Sequence, residues 1–155
     1  MKSLILFLSA MVVMGLNAQN TLTVNQSKQL DKSADSIACA ANHLLLGCFE
    51  KWDDTNFALA NSLLKQSKVI YERLMKDGTA QTNELAELMS IMVQTRISLI
   101  ESSLMFFDEG FAQKMKNSGD EKKTKKKYNG SVILVPKSVD YKFDNVISNL
   151  GVYCQ

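Results

Sequence analysis

TNELAELMSIMVQTRISLIESSLMFFDEGFAQKM, residues Thr82 to Met115, decides how the rest of the chain folds. Apolar side chains at Val93, Ile97, Ile100, Leu104, Phe107, Phe111 and Met115 recur at spacings of three and four, the period of one helix face. Leu85, Met89, Met92, Leu99 and Phe106 lie beside that stripe, while Glu87, Ser90, Gln94, Ser98, Glu101 and Asp108 recur at helical spacing as a narrow solvated strip. The pattern predicts one long helix with two apolar flanks, and two flanks need two neighbours. Arg96 interrupts one flank, so it either pairs with a carboxylate between helices or carries its charge outward on its aliphatic stem.

The neighbours are found upstream. Leu30, Ala34, Ile37, Ala41, Leu44 and Cys48 again step by three and four and predict a helix over roughly Asn25 to Lys51. Asp53, Asp54 and Thr55 offer capping side chains for a second helix, whose buried face is Phe57, Ala60, Leu63, Leu64, Ile70, Tyr71 and Leu74. Lys76 and Gly78 are its stop signals, 78–81 a turn, and Thr82 the cap of the long helix. Short connections make sequential helices antiparallel. The predicted fold class is therefore mainly α: an antiparallel three-helix bundle over 19–116 with a small C-terminal appendage.

Residues 117–129 hold almost no apolar side chain and are expected to be a lysine-rich mobile connector. In 130–155, Val132 to Val135 and the alternating Val139, Tyr141 and Phe143 predict a hairpin turning at Pro136 to Ser138, with a short helix after Asp144. A lone hairpin is barely stable, so this tail should pack on the bundle.

The N-terminus sets the compartment. Lys2, the apolar run Leu4 to Leu16 and the small residue Ala18 make a secretory signal peptide over 1–18, too short an apolar run to span a bilayer comfortably. Cleavage near Ala18 would leave a secreted or periplasmic domain. Its net charge would be +1, because only one lysine is lost from a total of +2. The charge is segregated: seven lysines stand against Asp120 and Glu121 between Lys114 and Lys127, and the rest sums to −4. The basic patch is Lys122, Lys123, Lys125, Lys126 and Lys127. A solvated loop is its simplest account; an anionic membrane surface is the partner it would otherwise suit, and nucleic acid fits poorly because Tyr128 is the only nearby aromatic.

Three cysteines fit an oxidising compartment. Cys39 and Cys48 are nine residues apart, roughly 13 Å along a continuous helix, so only Cys154 can bridge to either. Cys48 lies on the core stripe and Cys39 does not, which favours a Cys48–Cys154 disulfide. Asp35, Cys39 and His43, at i, i+4 and i+8, share an outward helix face, as ligands of a metal or a thiol, base and orienting carboxylate would. Such a row still needs a residue brought from elsewhere, and an ordinary solvated helix face is the simpler account of it.

The chain has no Gly-rich phosphate loop, no Gly-x-Ser-x-Gly, no His-Glu-x-x-His and no Cys-x-x-Cys. No cofactor and no catalysis are therefore expected. The leading expectation is a non-enzymatic protein-interaction or accessory module of the cell envelope, whose partner is another envelope or secreted protein, or a second copy. The alternative is a binder of a small apolar ligand or lipid in a closed cavity lined by Met92, Leu99, Phe106 and Phe107. A metal or thiol enzyme using Asp35, Cys39 and His43 is the third.

Overall fold

The computed structural model describes residues 22–77, 83–119 and 121–155; the signal segment, the 78–81 turn and the Thr82 cap lie outside them. Helix α1, Val24–Glu50, starts from a capping box: Thr23 Oγ1 accepts from Gln26 N–H at 3.3 Å, and Gln26 Oε1 accepts from Thr23 N–H at 2.9 Å. Helix α2, Asp54–Asp77, follows a three-residue turn whose Asp53 Oδ1 accepts from Asn56 N–H at 2.8 Å. Ala34, Ala38 and Ala41 of α1 and Ala60 of α2 are fully buried. Small side chains let the two axes approach, and buried Ser67 donates across the seam to Ala34 O at 2.8 Å. Helix α3, Asn83–Leu104, packs on α2 and completes the up-down-up order.

The predicted long helix ends earlier than its apolar stripe does. At its end the amides of Phe106 and Phe107 turn back to Ser103 O and Leu104 O at 3.0 Å, the tightening that closes a helix. Asp108, expected on a solvated strip, adopts extended backbone and caps a separate helix α4, Glu109–Lys116, by accepting from Phe111 N–H at 2.5 Å. The break has a packing reason. It swings Phe111 and Met115 away from Val93, Ile97 and Ile100 and into a second core with Phe49, Ile133, Val135, Val139, Phe143 and Ile147.

The connector expectation is corrected as well. Lys123–Tyr128 is strand β1, paired antiparallel with β2, Ser131–Pro136, so that Lys125 faces Leu134 and Lys127 faces Val132. Asn129 and Gly130 link them with φ of 46° and 80°, the left-handed pair that a two-residue hairpin turn demands. The second half of the predicted hairpin is helical: after a single 3-10 turn at Lys137–Val139, helix α5 spans Asp140–Gly151. Phe143, Val146, Ile147 and Leu150 form its buried face, so the period is helical rather than alternating. Helix α5 lies against both α1 and α3, and a last 3-10 turn, Val152–Cys154, seats the C-terminus on α1. No helix among the described residues is long and apolar enough to cross a membrane.

Candidate functional site

The C-terminus brings three chemically active side chains together on α1. Cys154 forms its disulfide with Cys39, Cα atoms 5.0 Å apart, and not with Cys48. The core stripe misled the pairing. Cys48 is sequestered below α1 with its Sγ 3.6 Å from Asp53 O, and burial pushes that thiol up to about 11. Cys39 instead stands at the edge of the main core, where the chain end arrives. His43, one turn along, is exposed, and its ring nitrogen and both disulfide sulfurs lie within 4.8 Å of one another.

Asn42 forms the floor of this corner. It is fully buried, its Nδ2 donates to Tyr128 Oη at 2.9 Å and reaches Cys154 Sγ at 3.7 Å, and its Oδ1 has no hydrogen-bond partner. Tyr128 comes from the end of β1 and crosses over Gly151, where a Cβ would meet its hydroxyl at 3.0 Å. A side chain at position 151 would therefore push the ring hydroxyl aside by a few tenths of an ångström.

Asp35, the other member of the predicted row, is engaged elsewhere. Its Oδ1 accepts the Tyr71 hydroxyl, and Arg96 bridges it to Asp31, with Nη2 3.4 Å from Asp35 Oδ2 and Nη1 on Asp31. Arg96 therefore takes the interhelical pairing. Partial burial holds the Asp35 carboxyl above its ordinary range, although the Tyr71 hydrogen bond and the Arg96 charge pull the other way. Burial, reinforced by Asp35, raises Tyr71 strongly. Tyr153 donates to Arg96 O at 2.6 Å, which ties the chain end to α3.

The remaining candidates are separated. Met92 is 43% exposed on the outer face of α3. Leu99, Phe106 and Phe107 are half-buried against the main core, with Phe107 stacked on Phe57 at a centroid distance of 4.7 Å. The lysines divide between two faces of the hairpin. Lys123, Lys125 and Lys127 point to water beside the exposed Val132 and Leu134, whereas Lys126 turns inward to Asp144 at 2.5 Å. Lys122 is exposed just ahead of the strand.

One surface stands apart in chemistry. From Leu88 to Met105 the solvent-facing residues of α3 and the turn that follows it are Leu88, Ser90, Ile91, Met92, Gln94, Thr95, Ser98, Glu101, Ser102 and Met105. Glu101 is their single charge, and it is occupied by Lys68 of α2 at 2.8 Å. The solvent face of α2 bears Asp54, Lys65, Glu72 and Lys76, and that of α1 bears Lys28, Lys32 and Glu50. Compared with known proteins, the chain matches no family model, no curated protein and no solved structure.

Proposed function

We propose that this protein is a non-enzymatic interaction module of the cell envelope, exported by its N-terminal segment, and that the outer face of α3 takes an amphipathic helix of an envelope partner. The observation that carries the reading is the exposure of Leu88 and, one turn on, of Ile91 and Met92, at 54%, 58% and 43%. Apolar side chains at i, i+3 and i+4 are the anchors used in helix-to-helix recognition, and a face whose one charge between Leu88 and Met105 is already paired with Lys68 costs little to desolvate. The Cys39–Cys154 disulfide supports the exported setting, because such bonds persist where the surroundings are oxidising. The outward hairpin lysines would add attraction to an acidic rim or an anionic membrane beside that partner.

A photo-cross-linker placed at Ile91 in the native host tests this, with the same probe at Lys65 as the charged-face control. One envelope protein should be captured from Ile91 and not from Lys65, and Leu88→Lys should abolish the capture while the circular dichroism stays unchanged. Equal labelling from both positions, or capture that survives Leu88→Lys, would refute the reading. Cross-links to a second copy alone would make the partner the protein itself.

A further inference from the structure

The corner where the C-terminus meets α1 holds three soft or borderline metal donors. We propose that reducing the Cys39–Cys154 disulfide turns it into a Zn2+ site with Cys39 Sγ, Cys154 Sγ and one ring nitrogen of His43 as ligands. This corner is separate from the outer face of α3.

Cys39 and His43 are one helical turn apart, which places two donors side by side on a rigid element, and Cys154 supplies the convergent third from the other end of the chain. The three donor atoms already lie within 4.8 Å of one another. Zinc holds thiolate sulfur at about 2.3 Å and imidazole nitrogen at about 2.0 to 2.1 Å, so the sulfurs need only part across the broken bond to share an ion. Exposed His43 leaves the fourth position on the solvent side, the three-ligand pattern of an open zinc site.

The buried side is equally suited. Asn42 is fully buried and directs an amide N–H at Cys154 Sγ from 3.7 Å, a donor that stabilises the thiolate a metal requires. Its partnerless Oδ1 marks the corner as polar beyond what the disulfide alone needs. Cys48, the remaining thiol, is buried in a different place and does not compete.

The chemistry balances. A dithiol reductant donates two electrons and two protons, the S–S bond breaks, two thiols form and the reductant leaves as its own disulfide. Zn2+ then forms two Zn–S bonds and both thiol protons pass to solvent. The oxidised protein has no thiolates to offer at this corner, so the site opens and closes with the redox state.

The test uses the purified chain, reduced, desalted without oxygen and titrated with Zn2+ alone, with Co2+ as the spectroscopic probe. One equivalent of Zn2+ should bind to the reduced protein with its helical circular dichroism retained or restored, and none to the oxidised protein. Co2+ should give a thiolate charge-transfer band in the near ultraviolet. Since the loss of even an outer-shell partner costs 10- to 100-fold in affinity, His43→Ala should weaken Zn2+ binding by at least about 100-fold. Cys154→Ser should remove most of the charge-transfer band, and Cys48→Ala should change neither. The proposal is overturned by a reduced protein that takes up no zinc, by uptake with no helical spectrum, or by equal affinities in the His43→Ala and Cys48→Ala variants.

Discussion

The two cores of this molecule are built from different materials. The larger is mostly aliphatic: four buried alanines, with Leu45, Leu63 and Leu64, let α1 and α2 run close together, and Ile97 and Ile100 bring in α3, which packs on α2 and α5. The smaller one is aromatic. Phe49 meets Phe143 edge-on at 5.0 Å and Phe111 at 5.7 Å, and Trp52 and Phe57 close its rim. Rings fill a junction of short elements arriving at different angles, where α4, the hairpin and α5 meet the end of α1. Extended helices need small residues to touch; irregular junctions need large ones to leave no void.

The disulfide is the one covalent tie between the C-terminal elements and the first helix, and breaking it should have the largest effect. Opening the loop closed between Cys39 and Cys154, 115 residues apart, should lower stability by about 4 to 5 kcal/mol in the chain-entropy account. Urea unfolding of a Cys39→Ser, Cys154→Ser double variant against the parent measures this. A loss below about 1 kcal/mol would mean that packing alone seats the C-terminus.

Phe143→Ala comes next. Emptying the centre of the aromatic core should cost about 3 to 5 kcal/mol. The single tryptophan, Trp52, sits at the rim of that core, so its fluorescence reports the junction while circular dichroism reports the long helices. Coincident transitions at a lowered midpoint are expected, as for one cooperative unit. A fluorescence transition that precedes the helical one would separate the two regions into two units.

The larger core was readable because three-and-four periodicity is a local property, and α1, α2 and most of α3 follow it. The aromatic core was not, because it depends on where the chain breaks. The signal for β1 and β2 was nonetheless present: Asn129-Gly130 is the strongest short hairpin dipeptide. Five lysines around it masked the strand, since Lys123, Lys125 and Lys127 have no apolar alternates except Tyr128. Tyr141 and Phe143 alternate as a strand would, yet Val139, Phe143 and Ile147 also step by four, and only packing against α1 and α3 decides between the periods. At the candidate site the Cys39 and His43 spacing was legible from α1 alone. Cys154 as the third member was not, since its position follows from α5 lying across two helices.

Arg96 tests whether the larger core tolerates its one polar seam. Arg96→Met leaves Asp31 and Asp35 facing each other half-buried, and should cost about 1 to 3 kcal/mol at pH 7. The sign of its pH dependence follows from Asp35. Its folded carboxyl is raised above the unfolded value, so the folded state holds that proton more tightly, and the contribution of Asp35 to stability falls as pH rises from about 4 through the raised value. Without the Arg96 charge the carboxyl is raised further and the fall extends to higher pH. The penalty of Arg96→Met should therefore shrink as pH is lowered toward 3, as read by denaturant midpoints across the series. A penalty that is constant with pH would remove Asp35 from the account.

The smallest expected effect sharpens the boundary between the regions most. Asp108 lies in register with the polar strip of α3 but acts as the cap that starts α4, and its carboxylate also meets Lys142 Nζ of α5 at 3.5 Å. Asp108→Ala should cost about 1 kcal/mol, the usual worth of a helix N-cap, since the contact with Lys142 is long, is exposed at its Asp108 end and adds little. Ser98→Ala, on the same strip but inside α3, should stay within about 0.5 kcal/mol. Equal costs at the two positions would show that α3 and α4 behave as one helix, and Phe111 and Met115 would then have to leave the aromatic core. A larger cost at Asp108, with Trp52 fluorescence disturbed and the α1 to α3 amides still protected from hydrogen exchange, would locate the join between the two cores at this single carboxylate.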